Sequence, residues 1–499
     1  TMNVNPITRL DYPDPDVIRV EDTYYMVSTT MHFMPGCEIL QSFDLVHWEH
    51  VTYVYETLDH TDAQQLKSGQ NIYGQGMWAA SLRYHEGRFY ICFVANDTRK
   101  TYLYTSEKID GPWKKQLIEG FYHDGSLLFD EDGRSYIVYG NDEIWITELN
   151  EDLTAPKKDG LHRLLVSDHK NPELGYEGSH IQKINGYYYI FLVHSLRDRW
   201  MRTEACFYSD SLEGEFTGGD VLCDDRGYCG QGVAQGGIVD TPDGKWYAML
   251  FQDSGAVGRI PILLPVTWKD HFPIFGQNGH VPEEIEVHST RPGYIYQPLV
   301  GSDDFCNGLL PRWQFNHDPD PRYYHLDALQ GTYTITTREV CTELTQAVNT
   351  LTQRMSYPSC AAEVTVDASA LKEGDVAGLC ALQGCYAAVG ITKHHGKYEV
   401  LMLDKKEDGI LDMTEGTVVE SHQMDFRLEA DFCNMKDEAR CYYRVNKGDW
   451  LPIGTVHKLY FKLDHFTGCR FGLFCYAAEE TGGSACFRDF KYYDVDEIS

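Results

Sequence analysis

Three acidic residues stand where a short apolar strand begins, each with neighbours that fix or clear the space around it. Asp14, in LDYPDPDVIRV, has proline on both sides, which restricts the backbone to extended geometry and sets where the carboxylate points. Glu177, in GYEGSHIQKINGYYYI, lies beside a glycine that adds no bulk near a ligand. Asp124, in FYHDGSLLFDEDGRSYI, again opens an apolar run. Taken singly, Asp14 also reads as a turn residue and Asp124 as an Asp-Gly turn, while Glu177 says little. Asp11 and Asp16 read better as turn-forming or solvated acids than as site residues. Together the three say more, because each opens the first strand of a different repeating unit. Three carboxylates around one axis suit glycoside hydrolysis. One stays ionised as a base, one holds a proton as an acid, and a third negative charge raises the acid's pKa.

The elements that must position them are strands. Short Tyr, Phe, Val and Ile runs alternate with Gly, Asp and Asn turns, and long helical periodicity is nearly absent. One unit recurs, an acidic or glycine turn followed by an aromatic-rich strand. It reads VEDTYYMVSTT, YHEGRFYICFV, DEDGRSYIVYG, INGYYYIFLVH and PDGKWYAMLFQ. Periods of roughly 40–60 residues with one hairpin each are the signature of propeller blades. Five units predict an all-β chain opening with a five-bladed β-propeller over residues 1–281; the alternative is a large sandwich with coincidental hairpins. An ordered connecting segment spans 282–302. From 303 to 499, alternating strands without crossover helices, as in CAAEVTVDASA and HKLYFKLDHFTGCRFGLFCYA, predict a jelly-roll-like β-sandwich.

Composition narrows the function. The 499 residues carry 43 Lys and Arg against 75 Asp and Glu, a formal charge of −32, which repels phosphate backbones and anionic lipid. Nucleic-acid and membrane partners are not expected. No apolar run reaches the roughly 18–20 residues of a membrane helix, and the N-terminus lacks the basic and apolar regions of a secretory signal. Fifteen scattered cysteines, without paired zinc spacing, read as buried thiols in a reducing interior, although Cys223 and Cys229 have the spacing to pair. The expected location is the cytoplasm.

Several motifs resemble glycoside hydrolase family 43, the α-L-arabinofuranosidases and β-xylosidases. They are YPDPDVIRVEDTYYMVSTT, MHFMPGCEILQSFDLVHWE, GMWAASLRYHEGRFYICF, HDGSLLFDEDGRSYIVYG, YEGSHIQKINGYYYIF and GGIVDTPDGKWYAMLFQDSGAVGRIPILLPVTW. The resemblance spans nearly the whole chain, in order, and extends into the sandwich in DDFCNGLLPRWQFNHDPDPRYYHL and NTLTQRM. It implies Asp14 as general base, Glu177 as general acid and Asp124 as the carboxylate that tunes and orients Glu177. It implies inversion at the anomeric carbon, with base and acid roughly 6.5–9.5 Å apart. Arg259 matches an arginine that binds sugar hydroxyls; Trp78, Met31 and Phe33 match an apolar wall for the ring, against a reading as blade packing. Two positions depart from the pattern. Trp-Ala-Pro is Trp78-Ala79-Ala80 here, and the axial histidine of many members is Gln235, whose carbonyl is the expected ligand of one calcium ion in the axial channel.

Other motifs carry less. GQGVAQGG has the wrong spacing for a phosphate loop, and His394-His395 reads as solvated rather than metal-bound. The leading expectation is an inverting exo-glycosidase that removes terminal α-L-arabinofuranose from arabinoxylo-oligosaccharides. The alternatives are a β-D-xylosidase or dual enzyme on the same fold, and a non-catalytic glycan-binding protein.

Overall fold

The computed structural model describes residues 1–498. Five antiparallel sheets follow one another along the first half of the chain. Four are up-and-down sheets of four strands, beginning at Asp16, Met77, Ser126 and Glu177. The fifth, from Val233 to Phe275, has its innermost strand split into Val233–Ala234 and Ile238–Asp240. The turns follow from residue type. Glu86-Gly87 (φ 49° and 78°) and Asn185-Gly186 (φ 50° and 86°) are both left-handed, as a two-residue hairpin turn requires.

Burial on both faces explains why the blade strands read as continuous apolar runs rather than alternating ones. Along Tyr187–Ser195, Ile190 and Leu192 pack against the third blade, while Tyr189 and Phe191 pack against the fifth. Similar clusters join the first and second blades through Val27, Ile39, Leu82 and Phe93, and the fifth and first through Met249, Leu263, Tyr24 and Met26. The ring is clasped by the N-terminus. Asn5 bonds both backbone groups of Leu263, and Ile7 N–H donates to Pro261 at 2.9 Å.

The axis is polar. Asp16 of the first blade accepts Leu82 N–H at 2.7 Å and Arg83 Nη1 at 3.0 Å, and its other oxygen lies 3.1 Å from His180 Nδ1. Arg83 also donates to Ser126 Oγ, Leu127 O and Ile181 O. Burial would raise the Asp16 pKa, but the charges of Arg83 and His180 outweigh it and hold it below the usual range. The sequence reading of Asp16 as a turn-forming or solvated acid is therefore corrected: it joins the first, second and fourth blades directly and the third through Arg83.

The second half is a sandwich of two antiparallel sheets around one core that includes Trp313, Phe315, Val364, Phe426 and Phe471. The two halves share structure. Phe33–Met34, from a loop of the first blade, adds a strand to the sandwich by pairing with Phe315 and Asn316. Ala256, Val257 and Ile260 of the fifth blade belong to the sandwich core. The segment after Phe275 runs along the first blade, where Gln297 N–H donates to Glu49 at 3.1 Å, and then meets the sandwich, where Gly301 N–H donates to Gln353 at 2.9 Å. Between the halves lie three buried imidazoles, His32, His317 and His465. The ring of His32 stands 5.0 Å from each of the other two.

One expected strand is not there. HKLYFKLDHFTGCRF divides into the end of Leu451–Lys458, the start of Arg470–Tyr476 and a loop at 459–469 between them. The aromatic residues that suggested a strand, Phe461 and Phe466, leave the sandwich and enter the propeller funnel.

Candidate active site

Asp14, Asp124 and Glu177 sit at the funnel ends of three innermost strands, and all three are brought to one place. Asp14 is 6% exposed and ringed by donors. Thr29 Oγ1 donates to its Oδ2 at 2.7 Å, and Gln235 Nε2 and Arg259 Nη1 donate to its Oδ1 at 2.8 and 3.2 Å. The backbone at Asp14 is not extended as the flanking prolines suggested; φ is +55°. A left-handed non-glycine residue is held by its surroundings, here the three donors that draw the carboxylate inward. Asp124 shares the strain, with φ +49°.

Glu177 is reached by His123 and Asn141. His123 Nε2 stands 3.1 Å from Glu177 Oε2 and 3.4 Å from Asp124 Oδ2, and Asn141 Nδ2 donates to Glu177 Oε2 at 3.0 Å. The strand that begins at Glu177 is bulged between Glu177 and His180, and that of the second blade between Met77 and Ala80. Bulges re-aim side chains at the rim of a sheet. The first turns Gly178 N–H onto Asp124 Oδ2 at 2.8 Å; the second contains Trp78.

The charges are interdependent. Burial and the nearby charges of Glu177 and Asp14 push Asp124 up to about 6, against the opposing pull of His123. Burial lowers the His123 pKa, but Asp124, Glu177 and Asp14 outweigh it and lift it to about 9. At neutral pH this cluster therefore holds a proton beside Glu177, and its titration belongs to the group rather than to one residue. Arg202, fixed by Asp253 at 2.8 Å, has its pKa raised: burial opposes, and the charges of Asp253, Glu177 and Asp14 prevail.

The apolar wall differs from expectation. Trp78 stands in the funnel, its ring 6.1 Å from His123 and 5.5 Å from Phe466. Met31 is 2% exposed and bonded through its backbone to Met77. Phe33 is corrected. It is fully buried in the strand that joins the domains, with the Arg470 guanidinium 3.5 Å over its ring, and has no surface to offer a sugar. The sandwich supplies the replacement: Phe466 lies 4.5 Å from the Arg259 guanidinium and also packs on Trp78, so it spans from the fifth blade to the second. Phe461 stands behind it, 5.5 Å away. No local signal pointed to Phe466, whose role depends on where the sandwich docks. His123 adjoins Asp124 in the chain, and Asn141 ends the strand Ser135–Asn141.

Gln235 lies in the break of the split strand, with φ +69°. Its side chain donates to Asp14, and its N–H donates to the buried Glu204 at 2.8 Å. Calcium takes six to eight oxygens. The Gln235 amide nitrogen is taken up by Asp14 Oδ1, an oxygen that the Arg259 guanidinium shares, and the amide carbonyl is the atom an ion in the channel would meet. The groups of three possible metal ligands among the described residues lie elsewhere, one being His123, Asp124 and Glu177 in the funnel. The other is Glu373 with the exposed pair His394-His395 at a hairpin tip.

A carboxylate held by three donors, together with a glutamate kept among other titratable groups, is the equipment of a glycosidase that works with two carboxylates. The chain belongs to glycosyl hydrolases family 43: the family model matches residues 4–273, and a beta-xylosidase C-terminal concanavalin A-like domain matches residues 302–493. It is thus a glycoside hydrolase. Among solved structures it is similar to a bifunctional GH43-CE protein of Bacteroides eggerthii, 41% identical with a TM-score of 0.92. That match covers all of this chain and 64% of that one, so the chain spans just under two thirds of that protein's length. It is 27% identical to a beta-xylosidase of Formosa agariphila over 99% of this chain and 89% of that protein. A xylosidase/arabinosidase of Butyrivibrio fibrisolvens is 23% identical, over 99% of each chain.

Proposed function

We propose that the protein is an inverting exo-β-D-xylosidase acting on xylan-derived oligosaccharides, with terminal α-L-arabinofuranosides as a second substrate. This reverses the order of the two sugars expected from sequence, and the names of its relatives support the reversal. The observation that carries the exo reading is the placement of Phe466. By touching both Trp78 and Arg259, it bounds the funnel on the side of the second and fifth blades. The side of Asp124, Asn141 and Glu177 is left for the rest of the chain to leave by.

In this reading Asp14 deprotonates a water that attacks the anomeric carbon, and Glu177 protonates the departing oxygen. Thr29, Gln235 and Arg259 hold and aim Asp14. Asp124 and His123 hold Glu177 in place and keep a proton within its reach. Arg259 shares its guanidinium between the base and the sugar's hydroxyls.

The test is release of p-nitrophenol from the β-D-xyloside and the α-L-arabinofuranoside, in parallel on wild type and Asp14→Asn. The expected result is faster xyloside turnover, with both activities falling roughly 10²–10⁴-fold in the variant. Faster arabinofuranoside turnover would reverse the substrate order, and cleavage of neither would leave the glycan-binding alternative.

A further inference from the structure

Asp11 reads in sequence as a turn or surface acid, but the fold buries it between the domains with 5% of its surface exposed. Its Oδ1 accepts the backbone N–H of Arg259 at 2.8 Å, and its Oδ2 accepts that of Gly468 at 2.8 Å. Its carbonyl accepts Arg354 Nε at 2.8 Å. One carboxylate, three residues before the base, therefore grips two backbones. The first belongs to the arginine that bonds Asp14; the second lies two residues past Phe466.

The fit is close on both sides. A Cβ at Gly258 would lie 2.4 Å from Asp11 Oδ1, and one at Gly468 would lie 2.8 Å from Asp11 Cβ and 2.2 Å from Val257 O. Two converging N–H donors need two acceptor oxygens. Aspartate supplies them, whereas asparagine would present its own N–H₂ to one of the two amides.

We propose that Asp11 is a positioning residue that couples the sandwich to catalysis, by registering the loop 459–469 against Arg259 and Asp14 so that Phe466 bounds the sugar site. Asp11 touches neither substrate nor reacting atoms; it acts through the loop. The inference rests on the reading of Phe466 given under the proposed function, and the experiment separates the two.

Four proteins are compared: wild type, Asp11→Asn, Phe466→Ala and the double variant. Two readouts are taken, amide hydrogen exchange and the KM and kcat for p-nitrophenyl β-D-xyloside across pH. In Asp11→Asn, exchange through residues 465–469 should accelerate roughly tenfold or more while the strand Glu177–Ile184 keeps its protection. KM should rise roughly tenfold with the shape of the kcat–pH profile unchanged. In the Phe466→Ala background the same substitution should change KM by less than about twofold, because partners acting as one unit are not additive.

Unchanged exchange at 465–469 overturns the clamp, whatever the activity. Accelerated exchange with additive KM effects, or with a displaced pH profile, overturns the coupling and assigns Asp11 to alignment of Asp14 or Arg259 instead. If wild type releases no sugar, the proposed function falls and the exchange measurement alone decides the clamp.

Discussion

Replacing His32 and His465 by phenylalanine should hold the two domains together in acid. Both imidazoles are buried at the joint, and neither ring nitrogen of either residue has a partner among the described residues. Burial drives both pKa values down, helped for His32 by His317, His465 and Arg470 and for His465 by Arg470; His465 falls to about 3. An unfolded chain protonates the same groups near about 6.5. A depressed pKa contributes stability that is complete above the unfolded value and is lost as pH falls from about 6.5 toward about 3. At pH 5 each residue must shed a proton to fold, at about 1.4 kcal/mol per unit over about 1.5 units, or about 2 kcal/mol. The pair contributes about 4 kcal/mol of acid sensitivity, a large part of the roughly 5–15 kcal/mol that keeps a domain folded. Phenylalanine keeps the ring contacts with Phe33 and Tyr73, at 4.3 and 4.9 Å from His32, and cannot take up a proton. Urea unfolding near pH 7.5 and near pH 5 measures the difference; the double variant should lose about 4 kcal/mol less than wild type between them. Equal losses in the two proteins would show that the imidazoles are not the acid-sensitive element.

Three further outcomes follow from the same geometry. His123 lowers the Asp124 pKa, so His123→Ala should carry Asp124 further above about 6 and move the acid limb of kcat/KM to higher pH; an unmoved limb would remove His123 from the cluster. Asp16→Ala strands Arg83 and His180 at the axis and should cost about 3–5 kcal/mol in unfolding free energy, whereas a loss under about 1 kcal/mol would contradict its role as the hub. His194, its ring nitrogens 2.8 and 2.6 Å from Asp168 and Asp220, has a raised pKa: burial opposes, and the two carboxylates prevail. Its stabilisation is therefore complete below the unfolded value and lost as pH rises through the folded one. His194→Gln should flatten that part of the stability profile, which thermal unfolding across pH would read.

The blades were legible because they are local. Each needs a turn and an apolar run, and pairs such as Asn185-Gly186 announce the turn. The three carboxylates were legible because they open those runs. What stayed hidden depends on docking. Asp11 and Asp16 look like any acids among 75 until the ring closes around them. Phe33 and Phe466 exchange parts for one reason: the sandwich takes a strand from the propeller and returns a loop. Gln235 stood in a motif that could be located, but whether its amide faced an ion or the base depended on Arg259, which arrives from another strand.

The clamp at Asp11 also has a consequence in time. Its carboxylate and the Gly468 amide it holds are 457 residues apart in the chain. At a synthesis rate of roughly 5–20 residues per second, the base segment waits on the order of half a minute to a minute and a half for its partner. Once the fifth blade has been made, to Phe275, the growing chain already contains Asp14, Asp124 and Glu177 but not Phe466 or the Arg470 that covers Phe33. The growing chain thus carries its three funnel carboxylates well before the loop that borders them.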